Sequence, residues 1–258
     1  MMKAYFGFDD TDTRDSAYGT GKLVRWFQDA MPQGCRCLGV VRQQLLVCDE
    51  IPYTSHNSAA CLIADMPEPD LLPDAIERAA NHLKHYAADG SDPGLCVVTE
   101  LDSSIGSLID FGHYCTRAVA SQRQALKAVK KAHLSGHGGT NDGIIGAAAA
   151  VGLTVSGWSG RFIEFGNLRS LPDGVLVSEL NQMGVEVLSM ERDAKVPAPN
   201  NTVITNGWLR PRLIGHQPVV FVGPQAKGLW KNIYGKRRQR NNHLEKREPI
   251  KAKNGIDE

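Results

Sequence analysis

The sequence predicts a mixed α/β (α+β) chain with helices packed on sheets. Three observations carry that expectation: apolar runs of strand length, helix-period apolar faces between them, and turn-forming clusters that separate the two. Residues 4–8 (AYFGF) are the first strand candidate, and 20–31 (TGKLVRWFQDAM) the first helix, with Leu23, Val24, Phe27 and Met31 on one face. Two strand-like runs follow, RCLGVV and QQLLVCDE, and then a polar connection from Ile51 to Ser58. The strand AACLIAD begins at Ala59. The Pro-punctuated MPEPDLLPD leads from it into a helix whose apolar face uses Ile76, Ala79, Ala80, Leu83 and Ala87. The turn GSDPG precedes the strand LCVVTE. Another helix is expected near 118–134, where Ala118, Ala125, Val129 and Ala132 face inward and Lys127, Lys130 and Lys131 face outward.

A chain of 258 residues can bury a core for one large or two modest domains. No apolar run approaches the length of a membrane span, so no membrane partner is expected. The opening MMKAYFGFDD runs directly into a strand and then acid, unlike a signal peptide, and a cytoplasmic location is the expectation. Cysteines 35, 37, 48, 61, 96 and 115 lack CxxC spacing and sit mostly in apolar contexts, which favours reduced, buried thiols over a zinc site or disulfide framework.

Charge is unevenly distributed. From Lys227 onward there are ten Lys/Arg against four Asp/Glu, whereas the preceding 226 residues hold 19 basic and 24 acidic side chains. The run KRRQRNN from Lys236 and the later EKREPIKAKNG contain few apolar residues, so 226–258 are expected as a basic, flexible tail. Such a tail either meets a polyanion such as tRNA or another RNA, or is simply a solvated ending.

Two segments carry chemical information. In FGFDDTD, Asp9, Asp10 and Asp12 lie where the first strand opens into a Ser/Thr/Gly-rich turn. Three carboxylates in four residues repel one another unless geometry or a cation separates them. Alternate residues of an extended segment share a face, so Asp10 and Asp12 are placed to approach one Mg²⁺ while Asp9 bonds the following backbone. A turn, a helix cap or solvated charge are the other readings. The second segment, HGGTNDGIIGAAAAVG, places Gly138, Gly139 and Gly143 before an Ala-rich helix that begins near Ile144, with Asn141 and Asp142 as caps. Small residues there admit an anion to backbone N–H groups at a helix start, or else serve a tight turn into a closely packed helix. It is neither a Walker A motif nor a GxGxxG fingerprint.

FGFDDTDTRDSAYGTG resembles the GIDDTD opening of the archaeal isoleucine-tRNA 2-agmatinylcytidine synthetase family. Four further stretches resemble that family in the same order. IPYTSHNSAA is similar to its P-x-K-T-R-G-N-G-A segment, HGGTNDGIIGAAAAVG to R-G-x-I-G-A-x-A-A, RFIEFGNLR to T-x-E-x-I-A-Y-R, and RPRLIGHQPVVFVGP to D-P-V-L-x-G-I-R-G. Together they span roughly residues 5 to 224.

The resemblance implies an ATP-using, kinase-like domain beside a ferredoxin-like one, in a shortened stand-alone relative of the catalytic portion. On that reading 1–58 are the first part of the kinase-like domain, 59–117 an inserted or ferredoxin-like unit, and 118–225 the remainder of the catalytic core. It implies an ATP- and Mg²⁺-dependent phosphotransferase or ligase that activates a carbonyl oxygen, with an RNA nucleobase as the leading substrate and a small amine as a further partner. The alternatives are a non-catalytic RNA-binding or assembly protein with a degenerate nucleotide pocket, and a small-molecule kinase or amide-forming ligase. Asp9, Asp10 and Asp12 are the expected catalytic and metal-holding residues. Thr11, Thr20, Lys22 and Asn57 are expected at the nucleotide, with Gly138, Gly139, Asn141 and Gly143 shaping the phosphate pocket. The family's Gly-Met-Cys-Thr-Thr loop is replaced here by AYGTGK, which leaves Thr20 as the nearest hydroxyl to its reactive threonine.

Overall fold

The structure, a computed structural model, describes residues 1–54, 56–191 and 196–233. Its first half is a twisted antiparallel sheet. The central strand β1 (Met2–Asp9) pairs on one side with β3 (Ser58–Met66) and on the other with β4 (Gly94–Thr99). Outside these, β2 (Arg36–Gln44) adds to β3, and β5 (His133–Gly136) to β4. The stretch 59–117 therefore contributes both neighbours of β1 within this sheet.

Side-chain alternation along β1 separates two cores. Ala4, Phe6 and Phe8 point to the face covered by α1 (Thr20–Phe27) and α2 (Leu72–Tyr86), where Leu23, Phe27, Ala79 and Leu83 are fully buried. Tyr5 belongs to the opposite core, with α3 (Ile105–Cys115), α4 (Gln122–Val129) and α5 (Gly143–Ser156). Gly7 also faces that side, and there α5 lies directly on the strand: a Cβ at Gly7 would stand 2.2 Å from the Ala147 carbonyl oxygen. α5 is apolar all round and almost wholly buried, as a helix enclosed by protein must be.

The sheet continues from β2 through β6 (Arg161–Glu164) and β10 (Arg212–Ile214) to β11 (Gln217–Ala226) and β12 (Leu229–Asn232). Strands β7 (Gly174–Leu176), β8 (Glu186–Ser189) and β9 (Thr202–Ile204) complete it, with α6 (Val177–Gln182) preceding β8. A third core of Phe162, Leu168, Leu180, Val203 and Leu213 fills this half. The mixed α+β class is as the sequence predicts.

Three elements differ from expectation. RCLGVV and the start of QQLLVCDE form one strand, whose register Leu45 continues by donating to the Asn57 carbonyl and Leu46 leaves by donating to that of Cys115. The helix expected over 118–134 is confined to α4, because a Ser121–Gln124 capping box starts it and Lys130 adopts φ 55° after it. Helix α3 was not anticipated: Gly106 and Gly112 lower its local propensity, yet Gly112 lets it approach α5, where a Cβ would stand 2.9 Å from the Leu153 nitrogen. All six cysteines are free thiols; Cys61, Cys96 and Cys115 are buried and the other three half-buried. No helix among the described residues is long and apolar enough to cross a membrane. Of the tail expected over 226–258, the described part up to 233 includes β12, paired with β9 and β11, and the part from 234 onward lies outside the described residues.

Candidate active site

The alternation that turns Tyr5 and Gly7 toward α5 does the same for Asp9. Its carboxylate lies against Gly146 in the first turn of that helix, so closely that a Cβ there would stand 1.7 Å from Asp9 Oδ2. Asp10, next in the chain, adopts φ 51°, a left-handed conformation that Asp tolerates better than most residues. This turn is tied to a second loop: the Asp92 amide donates to the Asp10 carbonyl (3.1 Å) and the Ala88 amide to that of Thr11 (3.0 Å).

Asp12 is held from two directions. Its Oδ1 accepts from the Thr20 amide and hydroxyl, both at 3.1 Å, and its Oδ2 from the Thr54 hydroxyl at 3.0 Å. It therefore satisfies the first amide of α1, whose own N-cap, Gly19, has no side chain to do so. Thr11, expected at the nucleotide, is buried and not among the residues that line the cavity beside these acids; it donates its hydroxyl to Thr20 at 3.0 Å and so fixes the same corner. A carboxylate offers about four lone-pair positions, so three hydrogen bonds leave Asp12 room for one more partner.

Asp9, Asp10, Asp12, Thr20, Gly143 and Gly146 line one cavity of about 600 Å³, the size of a small-molecule site. The strand-end acids and the start of the glycine-preceded helix thus meet in space, although more than 130 residues separate them in the chain. Asn57 is on the wall, its side-chain amide donating to the Leu46 carbonyl at 2.5 Å. Asp92 and Asp142 line the cavity too, while Arg14 is the single Lys or Arg among its described lining residues.

This acidity has consequences. Burial, then repulsion from Asp10, pushes the Asp9 carboxyl up to about 8. Asp10 is raised to about 6 by burial and by the Asp92, Asp12 and Asp142 charges. Among the described residues no three His, Cys, Asp or Glu side chains converge as a ready-made metal cage. Mg²⁺ needs no such cage, since one or two carboxylates plus phosphate oxygens suffice. The all-oxygen donor set and the mutual repulsion at Asp10 fit a hard divalent cation.

The other expected residues are placed differently. Lys22 is exposed on α1 with its ammonium over the Trp26 and Tyr18 rings, 5.0 and 5.7 Å from their centroids, and is not among the cavity's lining residues. Gly138 and Gly139 pack on Ser91, Asp92 and Pro93, and Asn141 (φ 67°) lays its side chain over Gly136. The amides of this turn are occupied by a carboxylate from the same chain. Asp92 accepts from the Thr140, Asn141 and Asp142 amides at 2.9, 2.6 and 3.1 Å, and from the Thr140 hydroxyl at 2.5 Å. Burial alone would raise Asp92, but these bonds together hold its carboxyl below the usual range.

Asp92 and Thr54 are site residues that the sequence did not single out, and Asp142, expected as a helix cap, makes no side-chain cap bond and lines the cavity instead. Asp92 stands in GSDPG, which carries turn chemistry and no spacing toward the acids, so its reach across to residues 140–142 is purely tertiary.

A scan against models of protein families gives no match, and neither does a search of curated proteins. Among solved structures, the complex of TiaS with isoleucine tRNA and ATP matches with a TM-score of 0.50 and 21% identity over 59% of this chain and 36% of that one. A tRNA fluorescent labeling enzyme matches at 0.49 and 22% identity over 58% and 36%, and apo TiaS, a tRNA agmatidine synthetase, at 0.49 and 20% over 58% and 35%. The chain thus spans little more than a third of the length of these proteins. At such identity the likeness is one of fold, and over the matched residues this chain has the fold of part of TiaS.

Proposed function

We propose that this chain is an ATP- and Mg²⁺-dependent phosphotransferase or ligase that activates a carbonyl oxygen, with an RNA nucleobase as its substrate class and the cytoplasm as its location. The observation that carries this reading is the meeting of Asp9, Asp10 and Asp12 with the first turn of α5 on one cavity. Asp10 and Asp12 would hold Mg²⁺ together with phosphate oxygens. Bound there, the ion neutralises phosphoryl charge and draws electron density from the transferred group. Thr11, Thr20 and Thr54 keep Asp12 in place, while Gly143 on the Asp92–Gly94 backbone and Gly146 on the Asp9 carboxylate let the first turn of α5 close against the acids. Asn57 fixes the opposite wall through Leu46.

Transfer of a phosphoryl group to a carbonyl oxygen makes that oxygen a leaving group. An amine can then form a bond to the ring carbon as the C–O bond breaks and phosphate departs with the electron pair. TiaS, whose fold the chain shares in part, has been solved with an isoleucine tRNA and ATP, which supports RNA and ATP as the first substrates to try. The decisive incubation combines the purified protein, isotopically labelled ATP and Mg²⁺ with separate pools of tRNA, bulk RNA and metabolites. Label or a new adduct in an RNA pool, lost in Asp10→Ala, is the expected result. Label in the metabolite pool alone selects a small-molecule kinase, and ATP that binds with no pool ends the catalytic reading.

One observation favours a second reading, an RNA-binding or assembly protein with a decayed pocket: the Asp92 carboxylate already fills the amide turn at 140–142. Salt-sensitive RNA binding that survives Asp10→Ala and drops on removing residues 236–258 would select it.

A further inference from the structure

A second cavity, of about 540 Å³, opens where β2, β6 and β10 run side by side. Its described lining residues include Arg42, Arg161, Arg210 and Arg212 and no carboxylate. The strand register explains how they gather: Arg42 is the direct cross-strand partner of Arg161, and Arg161 that of Arg212. Three guanidinium groups therefore stand in a row across three adjacent strands. Like charges directly opposite one another repel, and the row sets out a line of positive charge that matches an extended phosphate backbone. Arg42 shows the tension: burial, and then the Arg161 charge, make its protonated form harder to keep. Arg210 is oriented from behind by Trp208, its guanidinium 3.8 Å from the ring centroid.

The rim of the same cavity carries Trp158, which is 66% exposed in the turn after α5. An indole left in solvent beside four guanidinium groups is the combination that single-stranded nucleic acid uses, with a base stacked on the ring and phosphates on arginines. The two cavities also share a wall. Arg42 Nε donates to the Ser58 hydroxyl at 2.9 Å and Gln44 Nε2 to the Asn57 carbonyl at 2.6 Å, and both Asn57 and Ser58 line the acidic cavity.

We propose that the Arg42–Arg161–Arg212 row and Trp158 form a binding site for single-stranded RNA, taking its phosphates on the arginines and one unpaired base on the indole, so that the next nucleotide reaches the acidic cavity across Ser58. This deepens the proposed action on RNA and rests on it for the substrate, but it concerns residues other than those of the basic tail.

The probe is a short fluorescent single-stranded RNA, titrated into the full chain without ATP or Mg²⁺, so that a failure of the catalytic reading leaves the result interpretable. Anisotropy should report binding that weakens about 5- to 100-fold in Trp158→Ala and recovers in part in Trp158→Phe. Arg161→Gln and Arg212→Gln should each weaken binding and lower the slope of log affinity against log salt by about 1. Far-UV circular dichroism separates a lost contact from a lost fold. RNA affinity equal in wild type and all four variants would assign binding to the tail and overturn the proposal. So would wild-type protein that binds poly-glutamate as tightly as RNA, or that binds no RNA at low salt.

Discussion

Gly146→Ala places one methyl group where the account has least room for it. The new Cβ would fall 1.7 Å from Asp9 Oδ2 and 2.4 Å from its Cγ, whereas Cβ contacts in proteins stay beyond 3.0 Å. The carboxylate must move by more than about 1 Å where β1 meets α5, and because the Asp9 Cβ also stands within 2.9 Å the strand must give as well, at the cost of overpacking, about 1–3 kcal/mol. For a chain of this size that is a fall in Tm of roughly 2–12 °C. Displacing Asp9 also shifts a carboxyl group in the cavity wall beside Asp10, so affinity for ATP with Mg²⁺ should drop at least about tenfold, near 1.4 kcal/mol. The assay is a double-mutant cycle with Asp9→Ala, followed by thermal melting and by calorimetric titration of ATP with Mg²⁺. Asp9→Ala empties the space that the added methyl group needs, so the double variant should regain most of the lost Tm without regaining affinity. A single variant that melts like wild type, or a double variant as unstable as the single, would refute the packing. Full nucleotide affinity in Gly146→Ala would refute the role of the corner.

Metal-free protein should lose stability as pH rises from about 4 to about 8: folded Asp9 keeps its proton up to about 8, whereas the unfolded chain releases it near 3.8. Urea melts at several pH values should show a slope of up to about 1.4 kcal/mol per pH unit, flattened in Asp9→Asn. Asp92→Ala removes the acceptor of four hydrogen bonds at residues 140–142 and should cost about 1–3 kcal/mol, read out as lost hydrogen-exchange protection at those amides. Unchanged protection there would mean that the turn holds itself. Thr20→Val should loosen the start of α1 by about 1 kcal/mol through loss of the hydroxyl's bonds to Asp12 and from Thr11, while Thr20→Ser should behave as wild type in melting experiments.

Much of the first half of the fold was legible because period-2 and period-3.6 patterns coincide with buried faces, as in AYFGF and TGKLVRWF. The end of β2 was not, since LLVCDE has strand composition but leaves the ladder at Leu46, whose amide donates to the Cys115 carbonyl. Helix α3 was hidden by glycines whose value is the close approach to α5, a tertiary gain that no local propensity registers. At the site, the acids and the glycine segment stood out in the sequence; Gly146 lies against Asp9, and Gly143 lines the same cavity. Their neighbours in the same motif were indistinguishable by type. Gly138, Gly139 and Asn141 turn instead toward Asp92 and Gly136, a difference set by an aspartate some fifty residues away. The arginine row was equally silent, because Arg42, Arg161 and Arg212 become neighbours only through strand register.

The central claim is that one acidic cavity binds a nucleotide through a divalent cation held at Asp10. Isothermal titration of ATP into wild-type protein and Asp10→Asn, with and without Mg²⁺, tests it directly. One ATP bound per chain, only with Mg²⁺ and at least about tenfold more weakly in Asp10→Asn, is the predicted result. Absence of binding to the wild type, or equal affinity in the two proteins, would contradict it.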